Sequence, residues 1–319
     1  MNLDLLISNI TNPAFLFFIL GIIAVKLKSD LEIPPNSSKF ISLYLLFSIG
    51  FKGGQELSHE SFTMEILWSM LFGILISLLI PIYTFFILKR KMNVYDAGAI
   101  AAAYGSVSAV TFVTAVSYLD IQKLQLHGHM VAIMALMESP AIIAGLILMS
   151  IYNKKESNSA NKLSVVKHSF TNGSVLLILG SLVIGLLANA KQAEGIKPFT
   201  NDIFKGFLAI FLLDMGITSG RKLSSFVSNG WFPLLFAIII PLFNGCVVAI
   251  LSSFVTQDIA NRFIFAVLAA SASYIAVPAA MKIAIPKANP GLYLPMALAV
   301  TFPLNITFGM PLYLYICQL

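Results

Sequence analysis

The sequence predicts an all-α membrane protein: ten transmembrane helices in two inverted repeats of five, with helices four and nine broken and crossing at the midplane. Three observations carry this. Hydrophobic residues make up 58% of the 319, only 11% are charged and the mean hydropathy is +0.88, too little polar surface to cover a soluble fold. Ten apolar segments of roughly membrane-spanning length follow one another. Two of them, Ala102 to Val116 and Ala269 to Ile283, align without a gap at an offset of 167 (269 − 102). Both are interrupted by small and hydroxyl residues, and the second also contains Pro278, so an unbroken helix is not expected in either.

Taken in order, the segment cores are 13–27, 40–51, 64–88, 94–118, 130–152, 174–190, 204–215, 231–255, 263–285 and 293–317. The second and seventh are short and lengthen into polar flanks. No basic region precedes the first and no small-residue cleavage pattern follows it, so it reads as a span and not as a cleavable signal. Residues 153–172 form a polar loop rich in Lys, Ser and Asn. The chain therefore divides into a first repeat, 1–152, a linker, 153–172, and a second repeat, 173–319. An odd number of spans per half forces the halves into opposite orientations.

Further echoes support the duplication. Gly50 to Leu57 (GFKGGQEL) matches Gly216 to Leu223 (GITSGRKL) at an offset of 166 (216 − 50). Glu138-Ser139-Pro140 in span five is answered by Thr301-Phe302-Pro303 in span ten, and Ile33-Pro34-Pro35 by Ile196-Lys197-Pro198. Most of the 20 Lys and Arg residues fall in the loops after spans one, three, five, seven and nine. The positive-inside rule then puts those loops in the cytoplasm and both termini outside, with the bacterial inner membrane as the expected location. The formal charge of +6 is scattered between apolar runs and makes no basic face for nucleic acid. Cys246 and Cys317 sit in apolar segments and read as buried free thiols.

Paired interrupted spans are the sequence pointer to a carrier's central site. Broken helices in a membrane survive where they line a cavity, and the half-helix N-termini offer free amides and positive partial charge to an anion. Ser106, Ser108 and Thr111 from one half and Ser271, Ser273 and Tyr274 from the other surround that point. Each hydroxyl taken singly is more readily explained by a bond to the preceding turn, and Tyr274 by packing; their clustering at repeat-related positions favours a site. Gly50, Gly54, Gly216 and Gly220 have the small-xxx-small spacing of close helix packing. Glu138 is the one acid deep within a span, a candidate for ion coupling or a buried structural pair. Asp214 is expected to face water, and Lys282 and Lys287 to snorkel to the interface. His127 and His129 lack the company of a metal site, and His59 and His168 lie in or near loops.

The order of Gly50 to Leu57, Tyr104 to Thr111, Met137 to Pro140, Gly216 to Leu223, Ser271 to Pro278 and Ile285-Pro-Lys-Ala-Asn-Pro290 resembles the sodium-dependent bicarbonate transporters of cyanobacteria, over nearly the whole chain. The resemblance implies a homotrimer in the lipid bilayer. It implies a scaffold of spans one, two, six and seven, and a mobile core of spans three to five and eight to ten. It also implies bicarbonate and sodium binding where the broken spans cross. Carried over, Gly105, Ser106, Ser108, Ala109 and Thr111 fall on the fourth-span motif and Ser271, Ser273 and Ala276 on the ninth, with Glu138, Ser271 and Ser273 as ion-coupling candidates. One position departs: where the family carries an aspartate after Ser273, this chain has Tyr274. The linker is shorter than the cyanobacterial one, which argues against a regulatory partner of the PII type.

The reading is thus an importer of a small anion, bicarbonate by resemblance, with sodium as coupling ion and no other cofactor. A permease of the same fold for another small organic anion, coupled to protons or uncoupled, is the alternative. A channel is disfavoured by the paired breaks. An intramembrane enzyme lacks a His or Asp beside the serines.

Overall fold

The computed structural model describes residues 13–59, 63–152, 173–226, 230–274, 277–278, 280–281 and 287–319. Every described element is helical. The linker 153–172, with His168, lies outside the described residues, as do Ala276 and 282–286.

In chain order the helices are α1 (Pro13–Lys26), α2 (Pro35–His59), α3 (Met64–Leu88), α4 (Val94–Gly105), α5 (Ala109–Ile121) and α6 (His129–Tyr152). There follow α7 (Gly173–Leu187), α8 (Ala190–Lys197), α9 (Phe204–Phe226), α10 (Trp231–Leu251), α11 (Ile259–Ala270) and α12 (Pro290–Gln318). Six described stretches are long and apolar enough to cross a membrane, and α1, α7 and α11 contribute shorter apolar helices. The helix α2 misses that standard because Ser38, Lys39, Lys52, Gln55 and Glu56 extend it well beyond its apolar core. Hydropathy marks where lipid or protein covers a helix, whereas backbone hydrogen bonding sets where it ends. α9 likewise runs past its apolar core, and together with α8 it makes up one of the six stretches, Ala190–Lys222. The short helix α8, fixed by a capping box between Asn189 and Gln192, is an element the apolar pattern did not mark.

Two helix pairs are packed through glycine. A Cβ on Gly54 would collide with the Leu182 carbonyl, and one on Gly185 with the Phe51 carbonyl, so α2 lies directly against α7. A Cβ on Gly216 would collide with the Phe18 carbonyl, and one on Gly21 with the Leu213 carbonyl, so α9 lies equally close to α1. Gly220 meets the Val25 side chain at 3.1 Å. The spacing read from the sequence thus does serve backbone contact.

α3, α4 and α6 pack together, as do α10, α11 and α12. α12 is an α-helix interrupted by two π-turns, Met296–Thr301 and Asn305–Gly309, around Pro303, whose ring cannot continue a regular ladder. The stretch ending at Asn289 and Pro290 also has a role in the fold. The Asn289 side chain caps the start of α12 by accepting from the Gly291 amide at 2.9 Å. Its own amide donates to Asp96 Oδ1 at 2.7 Å, which ties the entry of α12 to the first turn of α4.

Gly54→Ala and Gly216→Ala are expected to destabilise the detergent-purified protein by about 1–3 kcal/mol each, the usual cost of overpacking, read as a fall in Tm. Gly206→Ala, whose Cβ would meet nothing within 4 Å, is expected to leave the Tm unchanged or raise it; equal losses in all three would contradict the close-packing account.

Candidate functional site

α4 stops at Gly105. Ser106 is extended (φ −81°, ψ 165°), Ser108 is extended (φ −99°, ψ 109°), and α5 begins at Ala109. Ser108 starts the second helix as its N-cap, its Oγ accepting from the Thr111 amide at 3.1 Å, as hydroxyl caps do. α11 stops in the same way at Ala270, with Ser271 extended (φ −84°, ψ 167°). Val277 is again helical, and its amide donates to Ser273 Oγ at 3.4 Å. A serine therefore ends the helix at each break, and at the first break a serine also starts the next.

The two breaks lie against each other and share their hydrogen bonds. The Ser108 amide donates to Ser271 Oγ at 2.9 Å, and the Ser273 amide donates to the Ala103 carbonyl at 2.8 Å. Ser271 Oγ in turn donates to the Leu268 carbonyl at 2.8 Å. Each break supplies what the other lacks, a solution forced where no water is available to an unwound backbone.

The surroundings fix this contact from three sides. Ser106 Oγ donates to the Glu138 carbonyl of α6 at 3.2 Å. Asn305, the first residue of the second π-turn of α12, donates to the Ala270 carbonyl at 2.7 Å and accepts from the Tyr313 hydroxyl at 3.0 Å. Tyr104 and Thr301 share a hydroxyl bond of 2.7 Å, and Thr301 donates to the Ala237 carbonyl at 2.8 Å. Gly105 leaves room for the Pro81 ring of α3, which a Cβ would strike.

The structure brings Gly105, Ser106, Ser108, Ala109, Thr111, Ser271, Ser273 and Tyr274 into one neighbourhood. Ser106 is 0% and Ser271 1% exposed, and Ser108, Thr111 and Ser273 are buried with them. Ala109 is half-buried. Glu138 is buried one helix away and joined to the break through its backbone carbonyl. Tyr274 leaves the break towards α9, its hydroxyl 3.8 Å from Met215 Sδ and its ring edge-on to Phe302 at 6.4 Å.

Tyr274 also lines a cavity of about 450 Å3 between α2 and α9, with Ser38, Asp214, Thr218 and Arg221. A second cavity of about 530 Å3 lies near the other end of the same two helices and includes Lys52, Glu56, Asp120 and Lys197; it does not include the breaks. Asp214 was expected to face water; it is instead only 7% exposed, and the Ser38 hydroxyl donates to its Oδ2. Its place at the end of the apolar segment 204–215 was the misleading signal, because α9 runs on to Phe226 and α2 covers it through Ser38. Near the second cavity's end of the molecule, His127 lies 3.5 Å from Asp258. No group of three His, Cys, Asp or Glu that could hold a metal occurs among the described residues.

The chemistry on offer is two-sided. The first turn of α5 carries amides without intrahelical acceptors and positive partial charge. The last turns of α4 and α11 bring carbonyls and negative partial charge to the same place. Such a junction can hold a small anion and a small cation together. A family model described as the Na+-dependent bicarbonate transporter superfamily matches residues 13–318. A search of the curated proteins finds no match.

Ser271→Ala is expected to orphan the Ser108 amide, at a cost of about 1–3 kcal/mol for a buried unsatisfied donor, and to speed hydrogen exchange at the start of α5. Unchanged exchange there, with unchanged Tm, would show that the breaks do not depend on each other.

Proposed function

The chain belongs to the Na+-dependent bicarbonate transporter superfamily, and on that premise we propose that it is a secondary active importer of bicarbonate driven by sodium. The observation that carries the reading is the reciprocal hydrogen bonding of the two breaks, which joins helix ends of opposite polarity. Ser106, Ser108, Thr111, Ser271 and Ser273, with nearby backbone and the small residues Gly105 and Ala109, bind anion and ion. Ala276 joins them on its register alone. Glu138 is the coupling carboxylate nearest the anion, and Tyr274 shapes the pocket. Hydroxyls and amides suit a small oxyanion because they donate without forming an ion pair too strong to release.

The packing supports a ten-span inverted repeat divided at the linker 153–172. The α1 to α9 contact and the α2 to α7 contact exchange under the offset of 166 found in the sequence, and both are made through glycine. The two cavities are related in the same way, Lys52 in one answering Thr218 in the other. In this reading α1, α2, α7 and α9 are the scaffold, and the remaining long helices form the core that moves against it. Of these two cavities, the one lined by Tyr274 meets a break; it lies on the side of Lys39 and Arg221, the cytoplasmic side by the loop charges, which supports a state open to the cytoplasm. A homotrimer in the inner membrane, with both termini outside, completes the proposal.

One observation favours a second reading. Tyr274 puts a phenol, a poor sodium ligand, beside the break, which suits a proton-coupled or uncoupled carrier of another small anion.

In proteoliposomes, labelled bicarbonate is expected to accumulate under an inward sodium gradient and not under potassium. Ser106→Ala and Ser273→Ala are each expected to reduce the rate at least tenfold in protein that keeps the wild-type elution profile. Uptake that ignores sodium, or follows a pH gradient instead, would transfer the assignment to the second reading.

A further inference from the structure

The cavity between α2 and α9 has a floor and a rim of different chemistry. At the rim, Lys39 and Arg221 are exposed, and Arg221 lies 3.5 Å from Glu32. At the floor, Asp214 is 7% exposed. One hydroxyl, from Ser38, donates to one of its two oxygens, and a carboxylate has about four acceptor positions to fill. An ionisable group so covered within a membrane helix is costly, and its retention marks a functional site. Ser42, Thr218 and Tyr274 also line the cavity and bring hydroxyl oxygens to it, while Lys39 and Arg221 carry its positive charge. An all-oxygen set with one negative charge suits a hard cation.

The register sharpens the point. Asp214 corresponds at the repeat offset, 166 (214 − 48), to Ser48 of α2, which is fully buried. The carboxylate therefore belongs to one half only. It stands on the scaffold side, next to Met215, which meets the Tyr274 hydroxyl from the core.

We propose that Asp214 and Ser38 form a sodium site at the floor of the cytoplasmic cavity, separate from the crossing of the breaks. It is a station through which the ion leaves after the core has released it. The site rests on the sodium-coupled reading given above. Its position explains how a chain with a phenol after Ser273 keeps a carboxylate within reach of the departing ion: the charge sits on the scaffold and not on the break.

Binding of 22Na+ to the purified full-length protein, without bicarbonate, tests this directly. Asp214→Asn is expected to weaken the binding about tenfold or remove one site, and Ser38→Ala to weaken it about threefold. Glu138→Gln is expected to leave the Asp214-dependent component in place. Both cavity variants are compared at equal monodispersity, and Ser38→Ala keeps the test open if Asp214→Asn does not fold. Wild-type binding by both variants, complete loss of binding in Glu138→Gln alone, or no binding to the wild type would each overturn the site. Because the assay contains no anion, a protein that binds sodium through Asp214 yet takes up no bicarbonate would uphold the site while refuting the cargo.

Discussion

Two hydrogen bonds between stretches of unwound backbone hold the centre of this protein together: Ser108 N–H to Ser271 Oγ and Ser273 N–H to the Ala103 carbonyl. In water such bonds would contribute little, since solvent replaces them. Inside a bundle wrapped in lipid no solvent competes, and a broken helix must find its partners in protein. Much of the surrounding architecture follows from that constraint. Pro81 sits over Gly105, Asn305 caps the end of α11, and Asp96 holds the entry of α12 against α4. Each keeps the two breaks in register. The second π-turn of α12 belongs to the same device, because Asn305, which opens it, reaches the Ala270 carbonyl.

Around this fixed centre, the contact between the two helix groups is of another kind. Where α1, α2, α7 and α9 meet each other, glycines bring backbone to backbone. Where they meet the rest, direct polar links are few among the described residues. Gln125 donates to Glu56 at 2.8 Å near one end, and Ser219 donates to the Leu298 carbonyl at 2.7 Å in the interior. Strong packing within each group and sparse bonding between them is what a movement of one group past the other requires. The Leu298 carbonyl lies in a π-turn, where the ladder is irregular and an outside hydroxyl can be accepted.

The fold class was legible because lipid exposure imposes apolar runs on the chain, and the breaks because small and hydroxyl residues interrupt those runs at matched positions. Ser106, Ser108, Ser271 and Ser273 could be named on that ground alone. The reciprocal partners could not: nothing in the sequence says that Ser108 bonds Ser271 and not its own turn, since that choice depends on how the two halves meet. Asp214 was misread for a similar reason. Its covering comes from α2, over 150 positions away, through Ser38 (214 − 38), and no local pattern records it. The full lengths of α2 and α9, and the helix α8, were obscured because polar side chains there face cavities or solvent and erase the hydropathy that marks other helices.

The central claim is that the junction of the two breaks is where the anion binds. Cysteine placed at Ser273, in a chain whose Cys246 and Cys317 are replaced by serine, tests it most directly through the rate of modification by a small thiol reagent. The account predicts that bicarbonate slows this modification several-fold in the presence of sodium and that a cysteine at Gly206, remote from the junction, is unaffected. Equal modification of Ser273→Cys with and without bicarbonate, in protein that keeps the wild-type elution profile, would contradict the account and place the anion elsewhere.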